Sequence, residues 1–411
     1  TGSIKTATFT AANGEGYFCN TTGGTFEVDL PAGSAGAIVS IQDYNNTFDS
    51  NKLTVDPNGS EKINGGEAGA TVDLTTEGQG VTFVYIDSTI GWRSVQDNTF
   101  ATAGRTFISA TGGTVTTVDT NFKVHTFTGP GTFTVSSGSG NADYMVIAGG
   151  GGGGIGYACG LCGGGGGAGG YRESHCSTTS GPYTASPLAS PTSLPLSPGA
   201  YPITVGGGGA KRVGCSGCGV GPNVAAGCSG ANSVFSSITS AGGGGGAGGS
   251  RAAASNAKNG GSGGGGGAGA PWPSSCGSAG GTGNTPPVSP PQGNDGGNGP
   301  TGANNSGGGG GGAGAAGSPN PSNCVGGAGG AGVATSINGT PTTRAGGGGA
   351  SSESAAAAAG GSGGGGSGAR NNPATNAGDG TTNTGSGGGG GTKYSTGTGG
   401  NGGSGVVIIR Y

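Results

Sequence analysis

Glycine recurs in long, almost uninterrupted runs at 149–154, 163–170, 206–209, 242–249, 261–269, 307–317, 346–349, 361–369, 386–391 and 399–405. No other feature restricts the fold as much. A run without side chains buries no apolar surface, and each glycine loses more backbone entropy on folding than any other residue. Such a segment either stays disordered or is ordered by backbone hydrogen bonds alone. The chain holds 111 glycines in 411 residues, about four times the usual share. Leu, Ile, Val and Phe are too few for a conventional core of that size.

Ordered runs have one obvious conformation. The polyproline-II shape has three residues per turn, a rise near 3.1 Å and no internal hydrogen bonds, so every N–H and C=O points outward. Bare backbones can then approach closely and bond laterally, which satisfies each buried group. The alternative is a set of flexible linkers. Three apolar segments favour order. Tyr144-Met145-Val146-Ile147 feeds straight into the first run, Val234-Phe235-Ser236-Ser237-Ile238 precedes the run at 242, and Val406-Val407-Ile408-Ile409 ends the chain. The tail is expected to pair near Tyr144–Ile147 and Pro202–Val205. Ala168, Ala247, Ala268 and Ala313 interrupt runs and are expected at outer positions. The runs have no fixed spacing and no strict Gly-X-Y triplet, which excludes short-repeat solenoids and collagen.

The expected fold class is mainly β: a small antiparallel β-rich head at 1–100, a β-hairpin bridge at 101–147, and a polyglycine-II helix bundle with long polar loops at 148–411. In the head, Thr25–Leu30, Ala37–Ile41, Lys52–Val55 and Val81–Ile86 read as strands separated by Gly, Pro and Asn turns. Trp92 reads as a core residue with its indole N–H near a backbone carbonyl. In the bridge, His125–Thr128 and Gly131–Val135 read as a hairpin around Gly129-Pro130.

Charge and cysteine content narrow the function classes. Residues 1–143 hold 14 acids and 6 bases, while residues 144–411 hold 4 acids and 9 bases. Bases so dilute do not suit nucleic acid. No apolar run reaches transmembrane length and no signal peptide is visible. The start at Thr1 reads as a processed product or fragment. Of the nine cysteines, eight lie in the glycine-rich part. Disulfides that staple loops lacking a core are the leading expectation. Cys159/Cys162 and Cys215/Cys218 are C-x-x-C pairs that could instead be zinc half-sites.

Two stretches carry a resemblance. The first is Gly24-Thr25-Phe26-Glu27-Val28-Asp29-Leu30-Pro31, Ile41-Gln42-Asp43-Tyr44, Leu53-Thr54-Val55, Tyr85 and Gly91-Trp92. It resembles a module of tail-fibre and other virion proteins of marine tailed bacteriophages. The second is Phe122–Phe127, Tyr144–Ala148, Tyr201–Gly206 and Gly405–Tyr411. It resembles the glycine-rich domain of phage fibre and adhesin proteins. The resemblance implies a structural virion appendage or tail-fibre protein on the virion surface or tail that displays loops for host attachment. The matching loops are Tyr171–Tyr201, Lys211–Ser240, Arg251–Asn259, Pro271–Asn305 and Pro319–Arg344. Implied partners are other virion or fibre proteins, further copies of the chain (a trimer if it belongs to a fibre) and a host receptor, either a glycan or an outer-membrane protein. The alternative is a structural subunit of an extracellular filament or surface coat with no receptor role.

Catalysis is not expected, and neither are a cofactor, nucleic acid or membrane insertion. His125 reads as a structural imidazole. His175 and Cys176 are adjacent in sequence, and neighbours in an extended chain point apart. Asp43, Asp56 and Asp87 could pair as glycosidase carboxylates, but the large apolar fold such enzymes use is missing. No catalytic, cofactor or metal residue is assigned.

Overall fold

The computed structural model describes residues 3–95, 107–156, 161–212, 226–249, 255–269, 277–300, 306–322, 324–353, 356–392 and 398–411. The chain divides into two compact units, 1–107 and 108–411. Among the described residues the fold is mainly β, with one short helix, α1 (Ser177–Ser180).

The first unit has eight strands: β1 (Phe9–Thr10), β2 (Glu15–Cys19), β3 (Phe26–Asp29), β4 (Ile38–Asp43), β5 (Leu53–Asp56), β6 (Val72–Leu74), β7 (Gly80–Asp87) and β8 (Gly91–Ser94). The four expected strands correspond to β3, β4, β5 and β7. They form two four-stranded sheets, β1-β3-β5-β6 and β2-β4-β7-β8. Val28, Leu53, Val55 and Leu74 of one sheet and Val39, Ile41, Val81, Phe83 and Trp92 of the other share one buried core.

The expected purely antiparallel order is corrected. The pairs β1–β3, β3–β5 and β2–β4 are parallel. From β1 to β5 the chain alternates between sheets, so each strand re-enters its own sheet in the same direction. Trp92 is fully buried, but its indole N–H donates to Glu61 Oε2 at 2.9 Å rather than to a backbone carbonyl.

The second unit begins with β9 (Ser109–Thr111), β10 (Thr114–Val118), β11 (Phe122–Phe127), β12 (Gly131–Ser137) and β13 (Gly140–Ile147). Next come β14 (Tyr171–Ser174), β15 (Ala189–Ser190), β16 (Leu194–Leu196), β17 (Gly199–Thr204), β18 (Ser233–Phe235), β19 (Ile238–Ser240), β20 (Val333–Thr335), β21 (Thr342–Arg344) and the terminal β22 (Val406–Arg410). One sheet runs β10-β11-β22-β13-β14-β15, with β16 added to β13, and another runs β19-β18-β17-β12-β9.

Two pairings differ from those expected. β11 and β12 do not form a hairpin: β11 pairs with β10 and β22, whereas β12 pairs with β17 and β9. Gly129-Pro130 therefore carries the chain from one sheet to the other. The tail strand β22 pairs with β13, as its apolar sequence suggests, and also with β11. It does not pair with Pro202–Val205, because β17 lies in the other sheet.

β22 and β13 are buried on both faces, which is why their apolar residues run without alternation. Val407, Ile409, Tyr144 and Val146 pack with Phe133, Ile203 and Phe235 of the five-stranded sheet. Val406, Ile408, Met145 and Ile147 face the other way, into a cluster with Ala168, Ala313, Ile337 and Ala345 of the glycine-rich part. The glycine-rich part is thus seated on the sheet through a small apolar contact. Ala168, Ala247 and Ala268 are fully buried and Ala313 is 2% exposed, so the outer placement expected for them is wrong.

The expected polyglycine-II helix bundle is not seen as regular secondary structure, which consists of strands, the single short helix and isolated bridges. The glycine runs do carry a dense network of lateral hydrogen bonds. Gly149, Gly150 and Gly151 donate to three different neighbours: Ala231, Gly403 and Gly167. Gly152, Gly153 and Gly154 then return to the same three neighbours at Cys228, Gly400 and Gly164, with N···O distances of 2.9–3.0 Å.

Candidate functional site

These bonds fix the direction of each run. Around 149–155 lie 163–170, 226–232 and 398–405, all antiparallel to it, and 206–210, 242–249 and 386–391, all parallel to it. Adjacent members of this ring bond to one another as well: Gly164 N to Ala247 O, Gly230 N to Gly243 O, Ala231 N to Gly207 O, Gly402 N to Gly209 O, Gly403 N to Ser386 O and Gly166 N to Gly388 O. The central run is therefore enclosed by backbone alone. A Cβ added at Gly151 would overlap the Gly244 carbonyl, and one at Gly154 the Ala247 carbonyl.

Following the runs in order separates the block into two ends. One end holds the sheets, where β13, β14, β17–β19, β20–β21 and β22 begin or finish runs. At the other, far end, the described run ends flank 157–160, 213–225, 250–254, 270–276, 301–305, 323, 354–355 and 393–397, which lie outside the described residues. The connections between runs are thus sorted by end.

Several segments expected to be loops are runs themselves. Residues 278–284 lie antiparallel to 261–267 through Ser278 N to Gly267 O, Gly281 N to Gly264 O and Asn284 N to Gly261 O. Residues 294–300 and 326–332 pair in the same manner. The signal was present as spaced glycines such as Ser278-Ala279-Gly280-Gly281-Thr282-Gly283, which a search for unbroken glycine passes over. Tyr171–Tyr201, in contrast, lies at the sheet end, where it holds β14, α1, β15, β16 and the start of β17.

The described far end is small and polar, with Ser351 buried and Cys324, Glu353 and Arg370 half-buried. Ser351 Oγ accepts from Gly163 N at 2.8 Å and lies 3.1 Å from the Gly163 and Gly391 carbonyls. Cys324 Sγ lies 3.5 Å from Glu353 Oε2. A turn through Asn371, Asn372 and Pro373 closes on Arg370, whose Nε donates to Pro373 O at 3.0 Å. Ser351 holds the block together, whereas the half-buried groups around Cys324, Glu353 and Arg370 can recognise a partner by hydrogen bonding and shape. Cys162 is buried, and burial pushes its thiol up to about 12.

No disulfide is found among the described residues, and Cys19, Cys162, Cys176 and Cys228 are free. The stapling expected of these four cysteines is corrected, since backbone bonding holds the runs. Cys159, Cys215, Cys218 and Cys276 lie outside the described residues, and with them both complete C-x-x-C pairs.

The remaining singled-out residues are engaged structurally. His125 is fully buried, with Nδ1 2.7 Å from Gly112 O and Nε2 3.0 Å from the Tyr411 hydroxyl. Burial lowers its pKa, followed by the Lys123 charge, against the opposing Gly112 bond. His175 packs on Tyr183 at 4.2 Å, with Nδ1 3.9 Å from Asp143 Oδ2. Neighbouring Cys176 instead places Sγ 3.1 Å from Thr178 Oγ1. Asp43 accepts from the backbone N–H of Asn45, Phe48 and Gly78, and Asp87 from Thr89 and Ile90. Each therefore shapes a turn.

Sequence reasoning missed two clusters. The first is a buried polar knot at the sheet end. Asp143 accepts from Ser174 Oγ and Ser193 Oγ at 2.8 Å, Ser180 Oγ at 2.5 Å and Cys176 N at 2.8 Å. Arg410, also fully buried, donates to Ser180 O, Ile337 O and Asp119 Oδ2, and sits between the Phe122 and Tyr183 rings. Its partners are up to 291 residues away in sequence, so no local pattern announces it. The second is Glu27, Asp29 and Asp56, whose carboxylates lie within 4.8 Å of one another and could hold a cation. Desolvation and then mutual repulsion raise the pKa of Glu27 and Asp56. Period-two spacing on paired β3 and β5 was the available signal for this triad.

No described helix is long and apolar enough to cross a membrane. In comparison with known families, residues 125–411 match the model described as a glycine-rich domain. No curated protein matches the chain.

Proposed function

The chain belongs to the glycine-rich domain family over residues 125–411, and from that premise we propose that it is a structural appendage protein of a phage particle, of the tail-fibre and adhesin kind. In this reading the glycine block is a rigid spacer, and its far end is what it presents to a host surface. The observation that carries the reading is the sorting of the described run ends, which fall alternately at the sheet end and at the far end. A flexible linker has no ends to sort.

We also read the runs as polyglycine-II helices. Support comes from the three-residue return of each run to the same neighbour and from the sixfold surround of 149–155 by both parallel and antiparallel runs. Strands would bond to two neighbours in one plane.

The test is electron microscopy of native particles labelled with an antibody against this chain. Label at a tail or fibre supports the reading. Label confined to cell-surface filaments without particles would overturn it in favour of a filament subunit.

A further inference from the structure

The first unit carries a groove of its own on the outer face of the β2-β4-β7-β8 sheet. Strand alternation sends Tyr17, Cys19, Ile41, Val81 and Phe83 into the core. It leaves Gly16, Phe18, Ser40, Gln42, Gly80 and Thr82 on the opposite face. Register lines these up in two rows, Gly16–Ser40–Thr82 and Phe18–Gln42–Gly80. Each row has a glycine at one end, at opposite sides, and the missing side chains leave a depression of about 400 Å³.

An aromatic pair stands at this groove. Phe18 and Tyr44 are each 51% exposed and meet edge to face with ring centres 6.4 Å apart. Both lie outside the core cluster, so the fold does not use their apolar surface. The floor is polar and uncharged. Ser40 Oγ and Thr82 Oγ1 share a hydrogen bond of 2.9 Å, which leaves one hydroxyl hydrogen free for a ligand. Gln42 Nε2 donates to Asp43 O and Gly78 O, which fixes the amide with Oε1 beside Gly80.

We propose that this groove binds a neutral oligosaccharide. A sugar ring presents a C–H face and a rim of hydroxyls. Phe18 and Tyr44 supply apolar surface for the face, and Ser40, Thr82 and Gln42 supply donors and acceptors for the rim. Anionic ligands fit poorly, because no basic side chain is among the described residues that line the groove and residues 1–107 hold twelve acids against five bases. The open face suits a chain of sugars better than an enclosed small molecule. This site is independent of the far-end connections of the glycine block.

The experiment uses the full chain on an array of neutral hexose and N-acetylhexosamine oligosaccharides, with sulfated oligosaccharides as the anionic comparison. The strongest neutral probe is then titrated by calorimetry. Two variants test the groove. Phe18→Ala with Tyr44→Ala removes the aromatic pair. Gly16→Val fills the depression, since a Cβ there meets Ser40 Cβ at an ordinary 3.6 Å. Each is expected to weaken binding by about tenfold or more, with the melting curve unchanged. Absence of binding by any neutral probe overturns the proposal. So does preference for the sulfated probes, or affinity within about twofold of the parent in both variants.

Discussion

Replacing Gly265 by Ala tests whether bare backbone is a steric requirement. A Cβ at 265 would overlap the Gly308 carbonyl and approach Gly309. Glycine 265 sits in a bonded chain of runs: its N–H donates to Gly165 O at 2.8 Å, its carbonyl accepts from Ala247 N at 2.9 Å, and next to it Gly308 N donates to Gly266 O at 2.8 Å. Relieving the overlap means moving one run away from its neighbour, which breaks or stretches one or two of these bonds in a region without water. Each buried amide group left unpaired costs about 1–3 kcal/mol, and the added volume costs about 1–3 kcal/mol. The expected loss is about 3–6 kcal/mol, a large share of a typical total of about 5–15 kcal/mol. Gly207→Ala is the matched control, because a Cβ there meets nothing within 4 Å. It should be neutral or stabilising by about 0.4–1 kcal/mol through the unfolded chain. Denaturant melts of the two variants against the parent decide the matter. Equal effects, or a neutral Gly265→Ala, would refute the reasoning.

Further outcomes follow from the buried groups. His125 has a folded pKa below its unfolded value, so its neutral form is favoured in the fold. Its contribution is present above about pH 6.5 and declines as pH falls through that value toward the folded pKa. Melts from pH 8 to 5 should show this decline, and His125→Phe should flatten it. Arg410→Ala removes a buried cation bound to two carbonyls and one carboxylate and stacked between two rings. It should destabilise the second unit by about 3–5 kcal/mol, read from chemical denaturation. Among the described cysteines, thiol labelling of the native chain should first reach exposed Cys228 and the half-buried Cys176, whose pKa is lowered by hydrogen bonds to Thr178 and Thr179. Cys19 and Cys162, buried and with thiols pushed up to about 12, should react only on unfolding.

The sequence disclosed β3, β4, β5 and β7 of the first unit because these apolar, β-branched stretches lie between clear turn residues, but not β1, β2, β6 or β8. It did not disclose their direction, since parallel pairing arises from the route of the chain between two sheets. The tail strand was legible from Val406 to Ile409, four residues of unbroken glycine and serine after Asn401 notwithstanding, because an apolar strand next to such a segment needs cover. Its second partner, β11, was not, because Gly129-Pro130 looks the same whether it closes a hairpin or crosses between sheets. The long glycine runs pointed to lateral bonding, whereas 278–284 and 294–300 were hidden by Ser, Thr and Asn at positions where the lattice leaves room for a side chain. The Asp143 and Arg410 knot could not be read at all, because its members meet only once the fold has formed. Asp43 was legible as a carboxylate but not as a turn anchor, which depends on Phe48 and Gly78 converging on it.

Amide hydrogen exchange on the full chain, resolved by segment, tests most directly whether backbone hydrogen bonds order the glycine runs. Slow exchange is predicted through 149–154, 163–170 and 242–249, where most amides are bonded to a neighbouring run, with faster exchange in the turn at 371–374. Uniformly fast exchange across the runs, with protection confined to β11, β13 and β22, would contradict the account and make the runs linkers.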